Sequence, residues 1–222
     1  MNFNHKFNTY NENAIVQKKL AQDLLDILKK HNSNSYNSVL EIGCGTGIFT
    51  QLFLDTYKPS TIILNDIYSS KAHLDGIYYT EFLQGNIEEI SIPDTDIIVS
   101  SSVFQWINDF ENLIYKLSTH SKNLAFSLYI QDNLYEITNH FNVSLKYLSH
   151  DDILFILKKY YTCIHSQEYE YKLNFNTPIE ALKHLKNTGV TGFATTSSVK
   201  KIKSFPDTTL TYKGACFFAT KN

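Results

Sequence analysis

The segment Glu41-Ile42-Gly43-Cys44-Gly45-Thr46-Gly47 limits the possible folds more than any other part of the chain. It ends a short apolar run, Val39–Ile42, and precedes Ile48–Leu54, where apolar residues return at helical spacing. Three of the chain's eight glycines fall within these seven residues, so the turn is a tight one. Missing Cβ atoms let a ligand lie against such a backbone at the carboxyl edge of a sheet. A phosphate-binding loop would end in Gly-Lys-Ser/Thr, whereas Ile48 follows Gly47 here. A dinucleotide fingerprint would need glycine at position 48 and fails for the same reason. What remains is E-x-G-x-G-x-G. Asp66 then closes the next apolar run, where a carboxylate can accept hydrogen bonds from both hydroxyls of a ribose. Its alternative role is to cap the following helix. The two features together indicate an adenosyl ligand without a phosphate tail.

The remaining pattern alternates strands and helices. A helix is predicted over 8–30, with Ala14, Ile15, Leu20, Ala21, Leu24, Leu25 and Leu28 as its apolar stripe. Strands are predicted at 39–42, 61–64, 81–83, 96–99 and 123–130, with helices at 48–54 and 110–117. Beyond residue 130 come helices at 134–141 and 151–159, a long strand at 161–175, a helix at 178–186 with Thr177 as its cap, and a last strand at 210–220. This order predicts an α/β, Rossmann-like sheet, mostly parallel, with an antiparallel C-terminal edge strand and a helical insertion. We expect one domain over 1–222: a lid helix in 1–35, a cofactor-binding core in 36–130, and substrate-side helices with the last two strands in 131–222.

Composition removes several chemistries. All 20 basic residues are lysine, so no guanidinium fork can clamp a carboxylate or read a guanine. A net charge of −2 argues against a nucleic-acid partner. Cys44, Cys163 and Cys216 are odd in number and widely spaced, which suggests a reduced, cytoplasmic protein without a cysteine-rich metal site. The eight histidines do not cluster at ligand spacing, and no metal is expected. The first residues show no apolar signal region, and no apolar run is long enough to span a bilayer, so no membrane partner is expected.

Several short motifs carry a more specific resemblance. They are Phe7-Asn-Thr-Tyr10 with Gln17, the glycine turn, Gly85-Asn-Ile-Glu88, Ser100 to Trp106, Ala125 to Leu128, Asn133 to Glu136, His184 to Gly189 and Leu210-Thr-Tyr212. Along most of its length the chain resembles the malonyl-acyl carrier protein O-methyltransferases of biotin synthesis, which are class I S-adenosylmethionine-dependent methyltransferases. Where that family has G-D-x-E, this chain has Asn86 in place of the acid.

The resemblance implies S-adenosylmethionine as cofactor and an acyl carrier protein bearing a malonyl group as partner. It places Gly43, Cys44, Gly45 and Gly47 along the cofactor, Glu41 at its amino group, Asp66 at its ribose, Ile67 on adenine, and Asn86 and Ile87 at the ring edge. Ser101 and Ser102 fall near the methionine part, and Tyr10 and Gln17 in a lid over cofactor and substrate. Gln105 and Trp106, with Tyr10, would position the substrate. Its carboxylate commonly meets an arginine in this family. Lys186 is the first replacement here, with Tyr10 and Tyr212 as hydroxyl donors and Lys146 as a second cation. Lys183, Lys186, Lys200, Lys201 and Lys203 offer a positive face to an acidic carrier protein. A malonyl carboxylate is ionised at neutral pH, so no general base is needed. Another small-molecule methyltransferase, or a non-catalytic cofactor-binding subunit, stays open from these residues.

Overall fold

A computed structural model describes residues 13–32, 35–143, 146–188 and 199–221. Its core is a seven-stranded sheet formed by β1 (Ser38–Ile42), β2 (Thr61–Asp66), β3 (Glu81–Gln84), β4 (Ile97–Ser101), β5 (Asn123–Tyr129), β6 (Cys163–Asn174) and β7 (Thr209–Thr220). The order is β3-β2-β1-β4-β5-β7-β6, with every neighbouring pair from β3 to β5 parallel and both pairs of β7 antiparallel. The central strands read as nearly continuous apolar runs, interrupted in β1 by Glu41, because both of their faces are covered. Val39, Ile62, Ile97 and Val99 pack on one side, and Leu40, Ile63 and Ile98 on the other.

The first side is covered by α1 (Ile15–His31), α2 (Ile48–Tyr57), α4 (Tyr135–Phe141) and α6 (Pro178–Thr188). The second is covered by α3 (Phe110–His120) and α5 (His150–Leu157). The short α7 (Val199–Lys203), absent from the sequence prediction, brings Phe205 into the first layer. Local signals fix several helix starts. Asp109 accepts from the Asn112 N–H to cap α3, and Ser149 and Asp152 cap α5 reciprocally. Thr177 accepts from the Glu180 N–H at the start of α6, as its sequence position suggested.

Three expectations need correction. Helix α1 begins at Ile15, whose side chain is 43% exposed because it stands at the first turn and off the buried stripe. The part of that prediction before residue 13, including Tyr10, lies outside the described residues. No α-helix links β2 to β3, where the crossover carries only a 3-10 turn at Lys71–His73. The last strand is antiparallel, but it lies one position in from the edge, and β6 forms the edge. Burial explains this: Ala215 to Ala219 is covered on both faces, whereas β6 alternates between half-buried and exposed residues from Glu168 onward.

Candidate active site

The turn after β1 is tied to β2 by its backbone, since Gly43 and Cys44 N–H both donate to the Asn65 carbonyl at 2.8 and 2.9 Å. Gly43, Gly45 and Gly47 all have positive φ, which side chains other than glycine rarely adopt. A Cβ on Gly43 would lie 2.3 Å from Val103 Cγ2, and one on Gly47 would lie 2.1 Å from Ile77 Cδ1. Gly45 differs. A Cβ there would meet nothing within 4 Å, so its bare backbone borders open space in the cleft above the sheet.

That cleft holds about 340 Å³, within the range of small-molecule sites. Its lining includes Gln17 of α1, the 41–46 turn, Asp66 and Ile67 after β2, the 85–88 loop, Ser101 and Ser102 after β4, and Trp106. Tyr10 excepted, the structure therefore brings together all but one of the residues the sequence assigned to the cofactor. The other is Gly47, which backs the turn from behind through Leu74 and Ile77. Ile67 is 56% exposed on the cleft wall, an apolar surface of the kind an adenine ring covers.

Two buried acidic side chains line the cleft. Asp66 accepts from the Gly45 N–H at 2.8 Å and the Tyr68 N–H at 2.9 Å, with Ile67 N–H as a third backbone donor. No α-helix starts there, so Asp66 anchors the loop and caps nothing. Three of its roughly four acceptor positions are thereby used, leaving room for one further hydroxyl where the sequence suggested two. Burial raises its pKa above the usual carboxylate range against the pull of these N–H groups. Glu41 is 2% exposed, and its Oε2 has no hydrogen-bond partner among the described residues. Burial pushes its pKa up to about 8, the Thr50 hydroxyl lowers it, and Asp66 raises it further. An orphaned carboxylate oxygen beside a bare glycine backbone fits a ligand bearing a cationic amino group. Cys44 contributes backbone only, because burial holds its thiol protonated and Sγ faces Ser70 Oγ at 3.7 Å.

The 85–90 loop shows what the sequence did not. Asn86 Oδ1 accepts from the Glu88 N–H at 3.1 Å, and its Nδ2 donates to Glu89, so the amide is already turned into the loop. Lys116 of α3 reaches under this loop and donates to the carbonyls of Ile87 at 2.8 Å and Ile90 at 2.5 Å, with Glu88 O at 3.5 Å. Glu88 in turn accepts from the backbone N–H groups of Asn108 and Asp109 at 3.2 and 3.0 Å. The loop is therefore held at both ends by α3 and its cap. Glu88 lies within a motif the sequence flagged, whereas a lone lysine inside a helix gives no such signal. Replacing Lys116 with Met should raise the KM for the cofactor roughly tenfold, since hydrogen bonds to a charged donor contribute about 1.5–3 kcal/mol. Steady-state kinetics should show the KM of the methyl acceptor unchanged.

On the far side, Gln105 donates to the Ser102 carbonyl at 2.6 Å, and half-buried Trp106 stands edge-on to Tyr147 at 6.2 Å. Trp106 is thus a wall of the cleft and not a core residue. Tyr212 is 1% exposed within the core on the α1 side. Lys146 borders a neighbouring 280 Å³ hollow together with Gln105 and Tyr147, and Lys186 stands exposed on α6. Neither lysine is among the residues lining the cofactor cleft. Among the described residues no helix is long and apolar enough to cross a membrane.

A family described as a methyltransferase domain matches residues 10–188. A malonyl-acyl carrier protein O-methyltransferase of Calditerrivibrio nitroreducens is 37% identical over 206 residues, covering 91% of this chain and 80% of its own. One from Bacteroides thetaiotaomicron is 33% identical over 205 residues, with 89% and 78% covered. Among solved structures, the YcgJ protein of Bacillus subtilis superposes with a TM-score of 0.66 at 14% identity, covering 90% of this chain and 98% of its own. That last likeness shows the class I methyltransferase fold.

Proposed function

This chain belongs to the malonyl-acyl carrier protein O-methyltransferases, and from that membership we propose that it methylates the free carboxylate of a malonyl thioester on acyl carrier protein, the masking step of biotin synthesis. The observation that carries the reading is the cleft itself. Orphaned Glu41, loop-anchored Asp66, bare Gly45 and apolar Ile67 line one continuous surface. In this reading Glu41 holds the amino group of S-adenosylmethionine, Asp66 takes a ribose hydroxyl, Ile67 covers adenine, and Asn86 and Ile87 meet the ring edge. When bound, the cofactor supplies an electrophilic methyl group on a sulfonium centre.

The chain's own residues then have little proton chemistry to perform. The acceptor carboxylate is ionised at neutral pH and attacks without a general base. Catalysis rests on alignment and on exclusion of water, which would otherwise solvate the attacking oxygen. Ser101, Ser102 and Trp106 form the wall nearest the point of transfer in this reading, with Gln105 on the neighbouring hollow. Gln17 of α1 borders the site on the side of that helix.

The carrier protein would dock where lysines gather. Lys183 and Lys186 are exposed on α6, as are Lys200 and Lys203 on α7, and both elements share one core cluster through Leu185 and Phe205. Lys201 is engaged, donating to the Phe141 carbonyl at 2.7 Å, and so positions α7. Three cysteines without a disulfide suit a cytoplasmic setting. The test is a transfer assay from S-adenosylmethionine to malonyl-acyl carrier protein, with free dicarboxylates as comparison. Methylation of the carrier-bound group alone supports the reading, and methylation of free dicarboxylates alone would replace it with a general small-molecule activity.

A further inference from the structure

Strand β6 ends the sheet on an edge that pairs with no further strand among the described residues. Its twelve residues contain no proline or glycine and meet β7 one to one, without a bulge. The phase of that ladder follows from its neighbours. The Phe175 N–H donates to the Thr208 carbonyl at 2.8 Å, in the same register as the β6–β7 pairs. On the other side of β7, the Ile130 N–H donates to the Lys213 carbonyl, which gives the odd residues of β7 to β5 and its even ones to β6. Odd-numbered residues of β6 therefore bond to β7, and even-numbered ones turn their N–H and C=O groups outward. Across that edge the backbones of Glu168, Glu170 and Lys172 have no hydrogen bond among the described residues.

Side chains divide by the same parity. Tyr169, Tyr171 and Leu173 are half-buried against the α1 layer, and the Tyr171 hydroxyl donates to Asp23 of that helix. Glu168, Glu170 and Lys172 are exposed on the other face, where Lys172 and Glu170 pair at 3.1 Å. Charges on an edge strand ordinarily discourage pairing. Here their order is self-complementary.

We propose that β6 pairs antiparallel with β6 of a second copy of this chain, about a two-fold axis at Tyr171, so that two sheets become one. A two-fold requires that residue i meets j and j meets i. Centred on Tyr171, Glu170 of each copy meets Lys172 of the other, and both residues belong to the outward-bonding set. On the opposite face Tyr171 meets its own counterpart and Tyr169 meets Leu173, which continues the half-buried apolar stripe across the junction. Neighbouring registers fail. A centre at Glu170 or Lys172 sets that charge against itself, and one at Tyr169 sets Glu168 against Glu170. A centre at Leu173 loses both ion pairs.

Sedimentation velocity of the full chain with a charge-swap series tests this. The wild type should show a dimer that grows in with concentration over about 1–100 μM. Lys172→Glu leaves only carboxylates at the junction and should raise the dimer Kd roughly ten- to a hundredfold. The Glu170→Lys/Lys172→Glu double variant rebuilds both ion pairs in the same register and should recover the wild-type Kd within about threefold. Both positions are exposed, so circular dichroism should be the same for all three proteins. A wild type that stays monomeric at about 100 μM overturns the pairing. So does a dimer indifferent to Lys172→Glu, which would use another face, or a double variant as weak as the single one.

Discussion

Glu41→Gln weakens S-adenosylmethionine binding by roughly ten- to a hundredfold while making the ligand-free protein more stable at alkaline pH. The two effects have one cause. In the ligand-free cleft Glu41 is buried with an unpaired oxygen, and burial lifts its pKa from 4.5 to about 8. A raised folded-state pKa means stability that is fully present in acid and lost as pH climbs from 4.5 through about 8. Glutamine has no such titration, so the variant should lack that slope and melt at a higher temperature at about pH 9. The cofactor's cationic amino group reverses the balance by favouring the ionised carboxylate. Wild-type affinity should therefore rise between about pH 6 and 7.5, with proton release detectable by calorimetry in buffers of different ionisation enthalpy. The Gln variant should show neither. Equal affinity and equal proton release in both proteins would remove Glu41 from the amino-group role.

Asp66→Ala should be more damaging still, because one carboxylate does two things. It holds Gly45 and Tyr68 by their backbone N–H groups, and in the proposed complex it takes a ribose hydroxyl. Each hydrogen bond to a charged acceptor contributes about 1.5–3 kcal/mol, so losing the set should cut cofactor affinity by at least about a hundredfold. Asp66→Asn keeps one carbonyl oxygen and should fall between the wild type and Ala. Hydrogen exchange separates the two roles. The Gly45 and Tyr68 amides should lose protection in the ligand-free Ala variant, before any cofactor is added. Protection equal to wild type would mean that the loop holds itself and that Asp66 serves only the ribose.

What the sequence made legible follows from local physics. Ile62–Leu64 and Ile97–Val99 are buried on both faces, and unbroken apolar runs say so directly, as does Val39–Ile42 apart from Glu41. The glycine turn announced itself because φ is positive at three alternate residues. Elements held by distant partners were harder to read. That β7 lies inside β6 depends on pairing across the sheet, although the buried run around Phe217 carried a hint of it. Lys116 looks like any helix lysine until the 85–90 loop is folded onto it.

The most direct measurement locates the transferred methyl group. Protein, S-adenosylmethionine and malonyl-acyl carrier protein are combined, and the carrier-bound product is sequenced by tandem mass spectrometry. The predicted result is a methyl ester on the distal malonyl carboxylate, lost on mild saponification. Tight cofactor binding with an unmodified malonyl group, or a methyl group on any other atom of the substrate, would contradict the account.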